Sequence, residues 1–207
     1  MSYASEAKKP NKILVGNRIP KTFFITSGKG ESNLTIHAGS YHLALKDAEI
    51  ERCNIKTYSS ILPKIAVQIE KTSEIINNLT HGAELNTIMA CANAEKGQRA
   101  TAGIIFAWLY DINTGEKYGG LVCEYNGSLN EQECREMLKQ NLQELYSNGY
   151  SEKFELKDET IIINSFIPEK KYGTILVAIC FINYELPVES KNPLMEKELT
   201  AEISLLT

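Results

Sequence analysis

The stretch that decides the fold is residues 99–125, which read RATAGIIFAWLYDINTGEKYGGLVCEY. Two apolar runs, Arg99–Asp111 and Tyr118–Tyr125, flank the turn signal Ile112-Asn113-Thr114-Gly115. Runs rich in β-branched and aromatic residues favour strands, and a turn that contains Asn and Gly favours a hairpin between them. The sequence therefore predicts an antiparallel strand pair near the middle of the chain.

Two segments outside this hairpin, His37–Ile50 and Asn130–Asn148, show the three- and four-residue spacing of an amphipathic helix. The apolar positions are Ala38, Tyr41, Leu45 and Ala48 in the first segment and Cys134, Leu138, Leu142 and Leu145 in the second. Gly149 follows the second helix as a stop signal.

Five further strands are predicted along the chain. They are Lys21–Thr26, Asn54–Ser60, Glu84–Cys91, Thr160–Phe166 and Thr174–Tyr184. The segment Ser27–Ser32 is predicted to be a flexible loop, without the G-x-x-x-x-G-K-[ST] spacing of a phosphate-binding loop. Two helices are too few to cover the connections of a parallel sheet, so we expect mostly antiparallel or mixed sheets. The predicted fold is an α/β, layered α-β-β-α sandwich.

The length of 207 residues suits one sizeable domain, which we place at 19–188 between a flexible leader, 1–18, and a tail, 189–207. The net charge is -4 and no basic run is present, which argues against nucleic acid as a partner. The apolar run Ile175–Ile182 is too short to span a bilayer, and no signal peptide is visible. We expect a cytoplasmic protein with no membrane partner and, since the five cysteines form no C-x-x-C pair, no metal site.

A second stretch, residues 54–63, reads NIKTYSSILP. Without further context, this stretch predicts a strand that ends with the hydroxyls of Ser59 and Ser60 facing a turn. Asn54 would then be a strand-edge residue that satisfies a turn. In context, the stretch resembles the processing site of the pyruvoyl-dependent arginine decarboxylases: an Asn, four residues, a Ser or Thr, the precursor Ser, an apolar pair and Pro. Further segments similar to this family follow the same order over about residues 20–187. They are Gly28–Ser32 (GKGES), His81–Leu85 (HGAEL), Gly120–Tyr125 (GLVCEY) and the strand through Ala178–Tyr184.

The resemblance implies a chemistry. Decarboxylation of an amino acid leaves a carbanion that no ordinary side chain can delocalise, so a carbonyl group is needed as electron sink. The family makes it from its own backbone. The hydroxyl of Ser60 would attack the carbonyl of Ser59, residues 1–59 would be released as a separate chain, and Ser60 would become a pyruvoyl cofactor. Asn54 is implied to stabilise the oxyanion of the attack, and Glu124 to carry the catalytic proton.

Strand alternation bears on the role of Glu124. It places Val122 and Glu124 on one face, which favours an inward carboxyl, although an outward-facing strand carboxylate is the alternative. A departure from the family lies at His42, twelve residues before Asn54, where the family has an Asp associated with the basic end of the substrate. An imidazole is a poor partner for a guanidinium, because only the neutral ring accepts a hydrogen bond. Alternatively, His42 caps or packs the helix while another carboxylate serves.

The leading hypothesis is thus a self-processing decarboxylase of a small-molecule amino acid, with arginine to agmatine as the reaction of the family. A decarboxylase of a different amino acid is the second hypothesis, motivated by His42. The third is a non-catalytic homologue that serves as a binding or assembly component. The family builds its active site between neighbouring subunits, so we expect a homo-oligomer, either a trimer or a dimer of trimers.

Overall fold

Nine strands and three α-helices make up residues 17–186, the part of the chain that the computed structural model describes. The strands are β1 (Ile19–Ser32), β2 (Asn54–Thr57), β3 (Ile61–Pro63), β4 (Val67–Gln68), β5 (Glu84–Glu95), β6 (Ala100–Asp111), β7 (Lys117–Gly127), β8 (Phe154–Phe166) and β9 (Tyr172–Glu185). The helices are α1 (His42–Asp47), α2 (Ser73–Asn77) and α3 (Glu131–Ser147). A π-helical turn, Ile36–Tyr41, leads directly into α1.

The strands form two sheets. The first has five strands in the order β2-β5-β9-β1-β4, in which β2 runs parallel to β5 and β4 parallel to β1, whereas β5 and β9 are antiparallel. The second has four strands in the order β3-β7-β6-β8, and all of its pairs are antiparallel. The predicted combination of antiparallel and mixed sheets is confirmed.

Three apolar clusters join these elements into four layers. The cluster between the sheets combines residues of both, and Phe23 of the first sheet meets Phe106 of the second edge-on with ring centroids 6.0 Å apart. The π-helical turn and α1 cover the outer face of the first sheet, and α3 covers the outer face of the second. The order is α-β-β-α, as predicted, and the segment Pro20–Tyr184 forms one compact unit. The predicted tail 189–207 and, apart from residues 17 and 18, the predicted leader 1–18 lie outside the described residues.

The hairpin and α3 form where the sequence predicts them. The turn between β6 and β7 closes through the N–H of Gly115, which donates to the carbonyl of Asp111 at 2.8 Å, and Gly115 has φ +71°. The helix begins with a capping box: Asn130 Oδ1 accepts from the N–H of Glu133, and the Glu133 carboxylate accepts from the N–H of Asn130, both at 3.0 Å. Local side-chain chemistry therefore sets this end of the helix.

The first helical segment differs from the prediction. Only its second half is α-helical, and Ala38, expected on the buried stripe, is exposed, whereas Ser40 is buried. The predicted loop Ser27–Ser32 is wrong as well, because this segment is the last part of β1. The physical reason is that Gly28 and Gly30 face the helix. A Cβ at either position would collide with the carbonyl oxygen of a helical residue, Ala44 or Ser40. The short elements β3, β4 and α2 were also not predicted.

Within the described range, no helix has both the length and the apolar character needed to cross a membrane. All five cysteines fall in that range and are unpaired. Between residues 17 and 186, no three His, Cys, Asp or Glu side chains come together in a way that could hold a metal ion.

Candidate active site

Strand pairing brings Ser60 and Glu124 to the same face of the second sheet. Strand β3 pairs antiparallel with β7, and the Ser60 carbonyl accepts from the N–H of Val122 at 3.0 Å. Leu62 and Val122 both belong to the cluster between the sheets. Because side chains alternate along a strand, Ser60 and Glu124 point to this inner side too, as diagonal neighbours across the strand pair.

The two side chains are in direct contact. Ser60 Oγ donates to the carboxylate of Glu124, with 2.9 Å to Oε1 and 2.7 Å to Oε2, although the residues are 64 apart in the chain. Both residues are half-buried. A hydroxyl that is hydrogen-bonded to a carboxylate has a base at hand for its proton, which is the arrangement of an activated oxygen nucleophile.

The peptide bond between Ser59 and Ser60 lies where the chain passes from one sheet to the other. On the first sheet, the N–H of Tyr58 donates to the carbonyl of Thr87 at 2.7 Å, and the Tyr58 ring packs against Phe181 at 5.8 Å between centroids. On the second sheet, the Ser60 carbonyl is held by β7, as described above. Between these anchors the N–H of Ile61 donates to the Ser59 carbonyl at 2.9 Å. Thr87 and Ile61 act here through backbone groups, so no sequence signal points to them.

Asn54 lies at the start of β2 and is exposed. Its side-chain amide donates to the carbonyl of Gly82 at 2.8 Å, and its backbone N–H donates to the carbonyl of Ala83 at 2.8 Å. Gly82 has φ +81°, a conformation that favours glycine. The contact joins two of the segments noted in the sequence. No hydrogen bond of the described residues joins the Asn54 side chain to Ser59, Ser60 or Glu124.

His42 is the first residue of α1 and is exposed on the outer layer. Neither a hydrogen bond nor an ion pair within residues 17–186 links its side chain to Ser60 or Glu124. The acidic residues nearby in sequence have other partners. Asp47 Oδ2 accepts from the N–H of Lys29 at 2.9 Å, and Glu49 forms an ion pair of 2.6 Å with Lys71.

The Gly28–Ser32 segment plays a part in packing. The carboxylate of Glu31 accepts from the backbone N–H groups of Glu169 and Lys170, which fixes the loop before β9. Ser32 Oγ accepts from the N–H of Leu34 at 3.1 Å. The contacts of Glu31 therefore join the end of β1 to the loop that precedes β9.

The thiol next to Glu124 does not compete with Ser60 as a nucleophile. Cys123 belongs to the apolar cluster under α3, on the opposite face of β7. Burial, together with the negative charge of Glu124, raises the pKa of the Cys123 thiol to about 11. At neutral pH the thiol is protonated and points away from the Ser60 hydroxyl.

Comparison with known proteins gives a consistent result. The model of the family "Pyruvoyl-dependent arginine decarboxylase" matches residues 22–186. The chain is 32% identical to "Pyruvoyl-dependent arginine decarboxylase AaxB" of Chlamydia abortus and 34% identical to the protein of the same name from Chlamydia caviae. Each alignment runs over 190 residues and covers 82% of this chain and 94% of the relative.

A third relative matches over a shorter stretch. "Pyruvoyl-dependent arginine decarboxylase" of Methanocella arvoryzae is 36% identical over 87 residues, which cover 42% of this chain and 51% of the relative. The match of the family model spans most of the chain and includes both Ser60 and Glu124. This chain therefore belongs to the pyruvoyl-dependent arginine decarboxylase family, whose members are carboxy-lyases.

Proposed function

We propose that the chain is a self-processing proenzyme that decarboxylates an amino acid, and that Ser60 is the residue converted into its pyruvoyl group. The observation that carries the proposal is the contact of Ser60 Oγ with both oxygens of Glu124, at 2.7 and 2.9 Å. The family supplies the reaction class, and this contact supports Ser60 and Glu124 as the residues that perform it.

Self-processing begins with a proton transfer. Glu124 accepts the proton of Ser60 Oγ as the oxygen attacks the carbonyl carbon of Ser59. The C–N bond then breaks, the nitrogen of residue 60 takes up a proton, and an ester replaces the amide. Loss of the Cα proton of residue 60 and cleavage of its Cβ–Oγ bond release residues 1–59 with a carboxylate end. The double bond left between Cα and Cβ takes up a proton at Cβ, and water then displaces ammonia and leaves a carbonyl at Cα of residue 60.

The residues around Ser60 fit a pyruvoyl group. The half-buried position between the two sheets holds residue 60 by its carbonyl, which remains bonded to Val122 when the preceding peptide bond is cut. A pyruvoyl group supplies the carbonyl that takes up the electron pair left when carbon dioxide departs. Glu124, directly beside residue 60, is placed to hold the proton that the substrate carbon needs afterwards.

Asn54 is proposed, from the family resemblance, to stabilise the oxyanion of the first attack. Its amide would have to exchange the Gly82 carbonyl for that of Ser59, since the two residues are not in contact in the intact chain. Asn54 begins β2 and Ser59 follows the end of that strand, so the amide reaches the Ser59 carbonyl only if β2 itself rearranges.

Arginine is the leading substrate, since the relatives are named for it. A different amino acid is the second candidate, and His42 favours it: an exposed imidazole stands where the family has a carboxylate, and Asp47 and Glu49 are engaged with other groups. A buried guanidinium without a carboxylate partner loses a bidentate, charge-assisted pair.

The position of His42 also supports the proposed assembly. Helix α1 lies on the outer face of the first sheet, whereas Ser60 precedes the edge strand β3 of the second. A substrate that touches both residues is best accommodated between neighbouring chains, as in a closed homo-oligomer, a trimer or a dimer of trimers. Light scattering that gives the mass of one chain under dilute native conditions would contradict this assembly. The cytoplasmic location and the absence of nucleic-acid and membrane partners stay predictions.

The test of the proposed function is the fate of the purified chain. After incubation, denaturing gels and intact mass should show two fragments, residues 1–59 and 60–207, the second blocked at its N-terminus. Ser60→Ala should give only the full-length chain, while Ser151→Ala, at an exposed serine, should be cut like the wild type. A wild-type chain that stays uncut after long incubation would overturn the proposal.

A further inference from the structure

The carbonyl that Ser60 would attack already has a hydrogen-bond donor. The N–H of Ile61 lies 2.9 Å from the carbonyl oxygen of Ser59, which closes a three-residue turn centred on Ser60. Ser60 Oγ, at the same residue, is held on Glu124. The nucleophile, its base and a donor for the attacked carbonyl thus come together in the intact chain.

We propose that the backbone N–H of Ile61 is the oxyanion donor of self-cleavage, a role that rests on the proposed function of Ser60. When Oγ bonds to the Ser59 carbonyl carbon, the electron pair of the C=O double bond moves to the carbonyl oxygen. The negative charge therefore develops on the atom that the Ile61 N–H already contacts. The distance of 2.9 Å is measured to the carbonyl oxygen of the intact chain, so the donor is in contact with this atom before the attack begins. When the C–N bond breaks, the pair returns to the carbonyl and the nitrogen of residue 60 is protonated.

In the intact chain, the Ile61 N–H already contacts the Ser59 carbonyl, whereas the side chain of Asn54 does not. The amide of Asn54 donates to Gly82, so it must leave one partner before it can reach the oxyanion. A donor that is already aimed at the reacting atom needs no reorganisation during the reaction, which is the reason preorganised dipoles are effective. The two donors can act together, but only that of Ile61 is in place in the intact chain.

The local structure tolerates the removal of this N–H, although a proline at position 61 also restricts the backbone of Ser60. Ile61 is the first residue of β3, an edge strand, and its N–H bonds to Ser59 rather than to β7. Proline is tolerated at the first residue of a strand and on edge strands. The side chain of Ile61 is 52% exposed, so its loss removes little packing.

The experiment compares Ile61→Pro with Ile61→Ala, which loses the side chain but keeps the N–H. Self-cleavage is followed by the appearance of the 60–207 fragment. We expect the Pro variant to be cut about 10²–10³-fold more slowly than the Ala variant, the loss typical of one oxyanion donor. Equal rates for the two variants, in a protein whose wild type is cut, would overturn the role of Ile61 and leave the proposed function standing. An uncut wild type would instead contradict the proposed function itself.

Hydroxylamine identifies the step that the donor serves, because it cleaves the ester formed by the first attack. If the N–H stabilises that attack, no ester accumulates in Ile61→Pro and hydroxylamine does not accelerate its cleavage. Rapid cleavage by hydroxylamine would mean that the slow step comes after ester formation, and the assignment would be wrong.

Folding is checked by the unfolding midpoint of Ile61→Pro in a Ser60→Ala background, where no cleavage intervenes. Whether or not the Pro variant folds, the α-hydroxy analogue of isoleucine at position 61 separates the loss of the N–H from the restriction that proline places on Ser60. It keeps the side chain and replaces only the N–H by oxygen. The analogue should slow cleavage as expected for the Pro variant, and cleavage at the wild-type rate would overturn the proposal.

Discussion

The two outer helices of the sandwich contact their sheets in different ways. Helix α3 packs on the second sheet through large apolar side chains, with Leu138 and Leu142 buried against β6 and β7. Helix α1 approaches the first sheet where β1 has no side chains at all, at Gly28 and Gly30. Apolar periodicity describes the first kind of contact directly. The second kind depends on the absence of a side chain, which in a sequence looks like a flexible loop.

We call the first sheet with α1 the first half of the molecule and the second sheet with α3 the second half. The candidate site contains residues of both halves. The second half provides Ser60 and Glu124, which meet because β3 and β7 pair in one register. The first half anchors the other side of the scissile bond through Tyr58 and Thr87 and carries His42 on its helix. If His42 contacts the substrate as proposed, the second half carries the chemistry and the first half carries substrate recognition, a division that can be tested.

The largest effect is expected at Glu124. Glu124→Gln preserves the shape of the side chain but cannot take up or hold a proton, so turnover per processed chain should fall about 10²–10⁴-fold. Cleavage should be slowed but remain at least partly intact, since an amide still hydrogen-bonds to Ser60. Carbon dioxide release by the processed fraction measures the effect, and Glu116→Gln, at an exposed turn, is the matched control. Normal turnover by processed Glu124→Gln would assign the proton to another group.

The next effect concerns the close approach of α1. Gly28→Ala places a methyl group against the backbone of Ala44 and Ala48, neither of which can move without displacing the helix. We expect the free energy of unfolding to fall by about 3 kcal/mol, at the upper end of overpacking costs. Gly149→Ala, beyond the end of α3, is the matched control, because a Cβ there meets nothing within 4 Å and φ is not positive. Urea unfolding of the two variants should therefore differ in midpoint, and equal midpoints would show that the glycines are not needed for packing.

Gly28 and Gly30 show why part of the fold was not predicted. The capping box of Asn130 and Glu133 and the stripe of α3 are local patterns, and the helix lies within one residue of its predicted limits at each end. The Ser27–Ser32 prediction failed because only tertiary structure reveals that Gly28 and Gly30 face a helix. Ser40 of the π-helical turn is buried and its hydroxyl contacts that of Thr174, 134 residues away, which no local pattern could indicate.

At the candidate site, the sequence pattern indicated the side chains that act but gave no information on the backbone groups that act. Alternation along β7 indicated that Glu124 faces the same way as Val122, and the structure places Val122 in the cluster between the sheets. The contact with Ser60 required the register of β3, a strand of three residues that has no periodicity to detect. Every residue except proline has a backbone N–H, so the residue type at position 61 could not indicate the role of this group.

A smaller effect is expected in the first half of the molecule. If His42 occupies the position that recognises the basic end of the substrate, His42→Asp restores a carboxylate there. A hydrogen bond to a charged group contributes about 1.5–3 kcal/mol, so the apparent affinity for arginine should improve by about one to two orders of magnitude. Carbon dioxide release from a panel of amino acids by processed protein measures it.

His37→Asp introduces the same change of charge five residues away, at the residue whose ring stacks on Tyr41. It controls for a general effect of the added negative charge on arginine affinity. The contrary result is a wild type that turns over arginine rapidly and with high apparent affinity. If His42→Asp leaves both quantities unchanged or worsens them, His42 does not set specificity. Recognition would then not lie with the first half.

The smallest effect concerns one thiol in each half, of which Cys91 is half-buried and Cys134 is buried. Burial raises the pKa of Cys91, under α1, and of Cys134, on α3, from 9.0 to about 11. The unfolded chain loses these protons first as the pH rises, so above pH 9 the folded state binds more protons and the free energy of unfolding decreases with pH. This stability is fully present below pH 9 and is lost as the pH rises through 11. Urea unfolding at constant ionic strength should give a difference between wild type and Cys134→Ala that is constant below pH 9 and shrinks above it. Cys91→Ala should behave alike, because desolvation is the main cause of both shifts. A difference that stays constant up to pH 11 for one variant alone would mean that the thiol of that half is reached by water, and the two layers would then differ in how tightly they close over their sheets.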